Sequence, residues 1–183
     1  MARILAQPML LVEIYIVLDF VFFVLHTNAI MSCTADSEHE SQVLEGICVG
    51  VSDGDSLHLE LQSGERVRVR LYGLDAPEKN QECALAARKK LGKLIYNKQI
   101  RVDVLDIDKY GRYVGRVYVG ARYVNRFMLK EGLAWHYKHY AADDELLAEA
   151  EARAKAAGRG IWAAESPCRP RIFRREQRKE GES

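Results

Sequence analysis

Hydrophobic and polar residues alternate along three consecutive stretches of the chain, and each stretch ends at a turn. The stretch "QVLEGICVGV" is followed by an Asp-Gly pair, "DSLHLELQ" by "SGE", and "RVRVRLYG" ends at a glycine. In the third stretch Val67, Val69 and Leu71 alternate with arginines, so the apolar side chains face inward and the arginines outward. This period of two predicts three half-buried strands joined by short turns.

The pattern then takes the helical period and later returns to the period of two. "ECALAARKKLGKLIY" predicts a helix whose apolar positions are Leu85, Leu91, Leu94 and Ile95. "QIRVDVLDID" and "RYVGRVYVG" predict two more strands, "RYVNRFMLKEG" a short helix, and "DDELLAEAEARAKAAGRG" a longer one. Five strands with a helix after the third describe an α+β fold that is mainly β. We expect a closed five-stranded barrel of the oligonucleotide-binding type (OB-fold), with three helices.

Both ends of the chain differ from the predicted barrel, which occupies residues 43–165. Residues 9–25 are mostly apolar, but Glu13 and Asp19 interrupt them, and an Asp at the membrane centre costs about 2.5–3.5 kcal/mol. We therefore expect residues 1–33 to be a signal-peptide-like or anchor segment and residues 34–42 a polar linker. Residues 166–183 form a basic tail, which we expect to be mobile.

The N-terminal segment carries the prediction of localisation. If it directs export, the protein is secreted, periplasmic or held at the cell envelope, and it contacts a membrane only if the segment is retained. If Met31 is the true first residue, the protein is cytoplasmic.

Charge and cysteine content change this picture little. The 183 residues have a formal net charge of +1, but residues 1–42 hold five acidic residues and one basic residue. The barrel and tail are therefore mildly basic, which is compatible with a polyanionic partner without requiring one. The four cysteines form no C-x-x-C pair and no His/Cys cluster, which argues against a zinc site. We expect Cys48 to be buried in a strand; a disulfide between Cys83 and Cys168 is left open.

Acidic residues and an arginine lie close together between residues 53 and 78. Asp55 begins the second strand and would lie at the barrel rim, and Asp75 follows Gly73. In "DAPE", Pro77 fixes a corner that keeps the Ala76 carbonyl out of any helix, so this oxygen is free to coordinate. Two carboxylates and a carbonyl suit a hard cation such as Ca²⁺. An arginine beside them indicates a phosphate bound next to a metal.

The order and spacing of several short motifs resemble the staphylococcal nuclease family (thermonuclease, micrococcal nuclease). The motifs are "DGDS" (53–56), an arginine followed by "LDAPE" (74–78), "DKYGR" (108–112), "VNRFMLKEGLAW" (124–135) and "RGIW" (159–162). Each motif alone is weak, because DGD and DAPE are also common turn sequences. Together they cover about residues 43–165 in the order found in the family.

This resemblance implies roles for individual residues. One calcium ion is bound by Asp55, Asp75 and the backbone carbonyl of Ala76. The residues that act on the phosphate are the two arginines Arg70 and Arg112 and the carboxylate Glu78. In the family the arginines bind the phosphate, while the glutamate acts as general base or orients the attacking water.

Four further residues are assigned supporting roles. Asp53 lies next to the metal-binding carboxylates and supports them. Lys109 and Tyr110 match family residues near the bound nucleotide. Tyr137, or Tyr140 in its place, stacks on a base. The histidines at 58, 136 and 139 are expected at the surface or the rim.

The resemblance further implies a calcium-dependent, sequence-nonspecific endonuclease that cleaves DNA and RNA, preferably single-stranded or frayed, and leaves 3′-phosphates. No stable protein partner is implied. The alternative is a non-catalytic nucleic-acid-binding OB-fold module, as in relatives that have lost the catalytic residues. The presence of all five residues of the set favours the nuclease: Asp55, Arg70, Asp75, Glu78 and Arg112.

Overall fold

The computed structural model describes residues 42–181, and in this part of the chain five strands close into a barrel. The strands, in chain order, are β1 Val43–Val51, β2 Ser56–Leu61, β3 Arg66–Leu71, β4 Leu74–Asp75, β5 Gln99–Ile107, β6 Tyr113–Val119, β7 Arg122–Tyr123 and β8 Trp135–His136. β1 pairs antiparallel with β2 and β5, β2 pairs with β3, and β5 pairs with β6. A parallel pairing between β3 and β6 closes the barrel. The predicted five-stranded OB-type barrel is therefore confirmed.

Five α-helices accompany the strands in the described residues: α1 Ala84–Ile95, α2 Val124–Lys130, α3 Lys138–Ala141, α4 Glu145–Ala156 and α5 Pro170–Gly181. A 3₁₀ turn covers Gly160–Ala163. The three predicted helices are α1, α2 and α4. The basic tail, for which no helix was predicted, forms α5, which begins at Pro170. Proline suits the first helical position, and the Arg, Lys and Glu residues that follow favour a helix.

The strand alternation puts the predicted side chains in the core. Leu57, Leu59 and Val69 are at most 1% exposed, and the arginines of β3 face outward. In α1, Leu91, Leu94 and Ile95 are buried as predicted. Leu85 is 61% exposed, so its assignment to the buried face is wrong. The small residues Ala84 and Ala87 lie on the face of α1 that packs on the barrel, and Leu85 points about 100° away from Ala84.

The two-stranded ladder of β4 and β8 holds the start of the "DAPE" corner in place. Leu74 pairs with His136, and Asp75 pairs with Trp135. His136, expected at the surface, is fully buried, and its Nε2 lies 2.7 Å from the Ala141 carbonyl oxygen. The ladder fixes the backbone at Asp75.

The turn before β2 packs closely against this corner because residue 54 is a glycine. A Cβ added at Gly54 would lie 2.8 Å from the Cβ atoms of both Ala76 and Ala87. Real Cβ contacts are essentially never this short, so a larger residue would push the turn away from α1 and from the corner. The glycine therefore brings Asp53 and Asp55 next to Asp75.

Several predictions concern residues at the edges of the described part. The N-terminal segment 1–33 and all of the 34–42 linker except Gln42 lie outside the described residues. Within residues 42–181, no helix has the length and apolar character needed to cross a bilayer. Cys48 is buried in β1, and Cys83 and Cys168, whose pairing was left open, are free thiols.

Candidate active site

Asp55 accepts hydrogen bonds from three different residues, and only 4% of the residue is exposed. Its Oδ1 accepts hydrogen bonds from Arg70 Nη1 at 3.0 Å and from Ser56 Oγ at 2.9 Å. Its Oδ2 accepts one from the Ala76 N–H at 3.0 Å. These bonds join the start of β2, the end of β3 and the "DAPE" corner, so the carboxylate has a fixed orientation.

Asp75 is 7% exposed but has weaker partners. Its Oδ1 lies 3.8 Å from Arg70 Nη2 and 3.9 Å from Arg174 Nη1, which is too far for hydrogen bonds. Burial raises the pKa of Asp75 to about 6; Arg174 and Arg70 oppose this rise, and Asp55 adds to it. Asp75 is therefore a buried carboxylate that a nearby cation would stabilise.

Asp53 is half-buried in the turn before β2 and also lines the cleft. Its Oδ1 accepts the Asp55 backbone N–H at 3.0 Å. Burial, and then the charge of Asp55, raise the pKa of Asp53 to about 6. The geometry matches the supporting position that the sequence predicted for Asp53.

These oxygens have the chemistry of a site for a hard cation. The Ala76 carbonyl accepts no hydrogen bond from any described residue, as the interpretation of the proline corner requires. Residues 42–181 contain no group of three or more His, Cys, Asp or Glu side chains placed to hold a metal. A cation held by Asp55, Asp75 and the Ala76 carbonyl would complete its shell with water and substrate oxygens, as Ca²⁺ and Mg²⁺ commonly do.

The two predicted phosphate-binding arginines are both held in place by acceptors of the protein. Arg70 Nη2 donates to the Leu74 carbonyl at 3.1 Å, in addition to the bond with Asp55. Arg112 donates through Nε to Asp108 Oδ2 at 2.8 Å, and its Nη2 lies 2.7 Å from the same oxygen. Both guanidiniums are therefore oriented before any ligand arrives, which lowers the entropic cost of binding one.

A cleft of about 740 Å³ brings the predicted residues together. Its walls include all of the predicted metal-binding, supporting and phosphate-binding residues: Asp53, Asp55, Arg70, Asp75, Ala76, Glu78 and Arg112. Glu78 is half-buried in a turn, where its N–H donates to Gln81 Oε1 at 3.1 Å. The structure thus places carboxylates, a free carbonyl and guanidiniums around one space.

The sequence was also compared with models of known protein families. Residues 68–164 match the model of the family described as staphylococcal nuclease homologue. This chain belongs to the staphylococcal nuclease family. The resemblance carried by the sequence motifs is therefore confirmed, and the match includes Arg70, Asp75, Glu78 and Arg112.

Individual relatives are similar to this chain over most of its length. A protein described as an uncharacterized endonuclease from Haemophilus influenzae is 37% identical over 130 residues, which cover 71% of this chain and 72% of that protein. One with the same description from Escherichia coli O157:H7 is 36% identical over 133 residues, covering 72% and 85%. The probable staphylococcal-like nuclease CAN3 of Oryza sativa subsp. japonica is 42% identical over 113 residues, covering 62% of this chain. The match spans only 30% of the length of that rice relative.

The three predicted nucleotide-binding residues are not part of the cleft wall. Tyr110 is 60% exposed, and its ring centroid lies 5.5 Å from the Arg112 guanidinium and 5.2 Å from Lys109 Nζ. Tyr110 is therefore next to a cleft residue without lining the cleft. Tyr137 is half-buried in a cluster with His139 and Tyr140, with ring centroids 6.0 and 5.5 Å away.

Sequence reasoning missed three cations that line the cleft. They are Lys79, Arg88 and Arg174. Arg88 lies on the exposed face of α1, and its Nε donates to the Val51 carbonyl at 3.1 Å. The series of cations on α1 is a signal that could have indicated Arg88. Arg174 lies far from the other site residues in the sequence, and its position depends on a helix that the pattern did not predict.

Proposed function

We propose that this protein is a calcium-dependent, sequence-nonspecific nuclease that hydrolyses phosphodiester bonds of DNA and RNA and leaves 3′-phosphate ends. The observation that supports the proposal most strongly is the convergence of Asp55, Arg70, Asp75, Glu78 and Arg112 on one cleft. Membership of the staphylococcal nuclease family makes the same chemistry the expected one.

The two arginines provide the binding of the reacting phosphate. A guanidinium presents paired N–H donors that match two phosphoryl oxygens, and it remains charged at every relevant pH. Arg70 enters the cleft from β3 and Arg112 from the turn before β6, and both line the same space. Charge develops on the phosphoryl oxygens in the transition state, and a preorganised donor at such a position is worth about 10²–10³ in rate.

Glu78 is placed to act on water. Its side chain is 36% exposed, whereas the side chains of Asp55 and Asp75 are 6% and 10% exposed. Water therefore reaches the Glu78 carboxylate, which lies in the same cleft as the phosphate-binding arginines. A carboxylate there can accept a proton from an attacking water or hold that water in line with the phosphorus.

Calcium is the cation that we propose for the two buried aspartates. Asp55, Asp75 and the Ala76 carbonyl would hold it, and a bound cation would offset the burial that raises the pKa of Asp75. When bound, calcium supplies Lewis-acid stabilisation of a phosphoryl oxygen. Asp53 keeps the Asp55 backbone in position through its hydrogen bond to that N–H.

A nucleic acid without sequence preference fits the surface beside the cleft. A groove along α1 shares Ser52, Leu85 and Arg88 with the cleft wall and continues past Lys89 and Lys93. No acidic residue is among the described residues that line this groove. Its cations suit the phosphates of flanking nucleotides, and contacts of this kind bind single strands with little dependence on the bases.

The test uses the purified full-length protein with end-labelled single-stranded DNA and RNA, in calcium and in excess chelator. We expect cleavage of both polymers in calcium only, and products whose 3′ ends become extendable by a polymerase after phosphatase treatment. Arg70→Ala, purified in parallel, controls for contaminating nuclease. Binding without cleavage in calcium would instead identify a non-catalytic nucleic-acid-binding module, and 3′-hydroxyl products would exclude the proposed cleavage position.

A further inference from the structure

The C-terminal helix α5 contributes a side chain to the cleft. Arg174 lines the cleft, and its Nη1 contacts Glu78 Oε1 in a hydrogen-bonded ion pair. The same nitrogen lies 3.9 Å from Asp75 Oδ1. We propose that Arg174 is a third phosphate-binding residue of the cleft, and that Glu78 holds its guanidinium until the substrate arrives. The inference rests on the nuclease function proposed above and adds a substrate-binding residue to it.

The helix is attached to the cleft at its first turn. Pro170 is buried, and the Gln81 side-chain amide donates to the Cys168 carbonyl just before the helix. Gln81 also accepts the Glu78 N–H, so one side chain connects the start of α5 to the turn that holds Glu78. Phe173 is half-buried, and the residues after it are exposed. Arg174 lies one turn into the helix, close to this attachment, which therefore holds it at the cleft.

Three of the four arginines that line the cleft share one arrangement. Arg70 lies 3.0 Å from a carboxylate oxygen of Asp55, Arg112 lies 2.7 Å from one of Asp108, and Arg174 contacts Glu78. In each case a carboxylate orients a guanidinium whose remaining N–H groups stay available. A guanidinium has five donors, so a bond to one carboxylate does not use up its capacity for a phosphate.

The charges in the cleft favour an exchange in which the Arg174 guanidinium leaves Glu78 and binds a substrate phosphate. The cleft wall carries five cationic side chains and four carboxylates: Arg70, Lys79, Arg88, Arg112 and Arg174 against Asp53, Asp55, Asp75 and Glu78. A nucleic-acid phosphate entering this space is attracted by the cations and competes with Glu78 for Arg174. The exchange would leave the Glu78 carboxylate free to accept a proton from water, which is the role proposed for it.

The Arg174 side chain is 44% exposed, so its truncation is not expected to unfold the protein. The variants are therefore Arg174→Ala and Arg174→Lys, with Arg175→Ala as the matched control. Arg175 is exposed on the same helix, carries the same charge and is not among the cleft-lining residues. Comparing the two alanine variants separates a specific contact from a general loss of positive charge.

Two measurements are made on each protein. The first is the affinity for a fluorescent oligothymidylate in excess chelator, read by anisotropy. The second is kcat/KM for the same oligonucleotide in calcium. We expect Arg174→Ala to lower both by about tenfold or more, the effect of losing one charge-assisted hydrogen bond. Arg174→Lys should recover part of the loss, and Arg175→Ala should stay within about twofold of the wild type.

The proposal is overturned if Arg174→Ala hydrolyses the oligonucleotide as fast as the wild type or faster, because Arg174 would then only block Glu78. It is also overturned if Arg174→Ala and Arg175→Ala lose affinity equally. Absence of hydrolysis by the wild type would contradict the proposed function, and the anisotropy comparison would still decide whether Arg174 binds phosphate.

Discussion

Three of the four carboxylates that line the cleft differ in how far they are removed from water. Asp55 and Asp75 are buried, and both belong to the rigid joint between β2, β3 and β4. Glu78 lies beyond Pro77, in a turn that solvent reaches. A buried carboxylate gains most from a metal ion, while an accessible one can exchange protons with water. The different positions of these residues therefore support different chemical roles.

The role proposed for Glu78 predicts the effect of Glu78→Gln. We expect kcat for oligonucleotide hydrolysis to fall by about 100-fold, a typical loss when a general base is removed. Calcium affinity, measured by titration calorimetry, should stay close to that of the wild type, because the amide replaces a group outside the metal-binding set.

Glu82→Gln is the control for this prediction, since Glu82 is exposed in the same loop and is not among the cleft-lining residues. It should leave both quantities unchanged. A parallel loss of calcium affinity in Glu78→Gln would make Glu78 a metal ligand, and an unaltered kcat would remove it from the reaction.

The position of a cleft residue could be predicted where the residue belongs to a sequence motif and also lies in or next to a strand with alternating side chains. Arg70 could be placed because it lies in an alternating strand, and Asp55 because it directly precedes one, which fixes the face that each side chain occupies. Asp75 and Glu78 followed from the proline corner between them. Arg174 could not be placed, because its partner Glu78 is 96 residues away in the sequence and no local pattern connects the two.

At the scale of elements, predictability followed the amount of apolar surface that each element buries. The barrel strands bury one full face and show it as alternation. In α5 only Pro170 is buried, so the helix has no apolar stripe from which to predict its position. Leu85 was misplaced for a related reason: α1 packs on the barrel partly through Ala84 and Ala87, which a search for large apolar residues overlooks.

The joint between β3, β6 and α2 depends on one buried polar side chain. Asn125 is fully buried at the start of α2, and its Oδ1 accepts the Val117 N–H at 2.9 Å. Its Nδ2 donates to the carbonyls of Tyr72 at 2.8 Å and Gly115 at 3.2 Å. This amide satisfies three backbone groups at the point where the parallel pairing closes the barrel.

We predict that Asn125→Ala lowers the free energy of unfolding by about 3 kcal/mol, because it leaves buried backbone groups without partners. Urea unfolding followed by circular dichroism measures the loss. The exposed Asn80→Ala is the control and should change stability by less than about 0.5 kcal/mol. A loss in Asn125→Ala no larger than that of the control would mean that water or a backbone shift replaces the amide.

At the scale of the whole molecule, the fold buries two carboxyl groups whose ionisation lowers the stability of the folded protein. Burial raises the pKa values of Asp53 and Asp75 to about 6, from an ordinary 3.8. Between these values the folded protein binds protons that the unfolded chain has released, so stability falls as pH rises. The two groups make their full contribution to the free energy of unfolding below about pH 4, and this contribution is lost as pH rises through about 6. A cation that binds the Asp75 carboxylate reverses this loss.

This linkage predicts how the proposed calcium ion would stabilise the protein at different pH. The difference in Tm between calcium-loaded and metal-free protein should be small at about pH 5, where protons compete for Asp75, and larger at about pH 8. Thermal melts of the dialysed full-length protein measure it. Asp75→Asn should abolish the calcium effect at both pH values, and Asp143→Asn, at an exposed position, should retain it. A calcium-induced shift of the same size at both pH values in the wild type would show that the ion binds elsewhere, and Asp75 would then be a buried carboxylate without a metal to stabilise it.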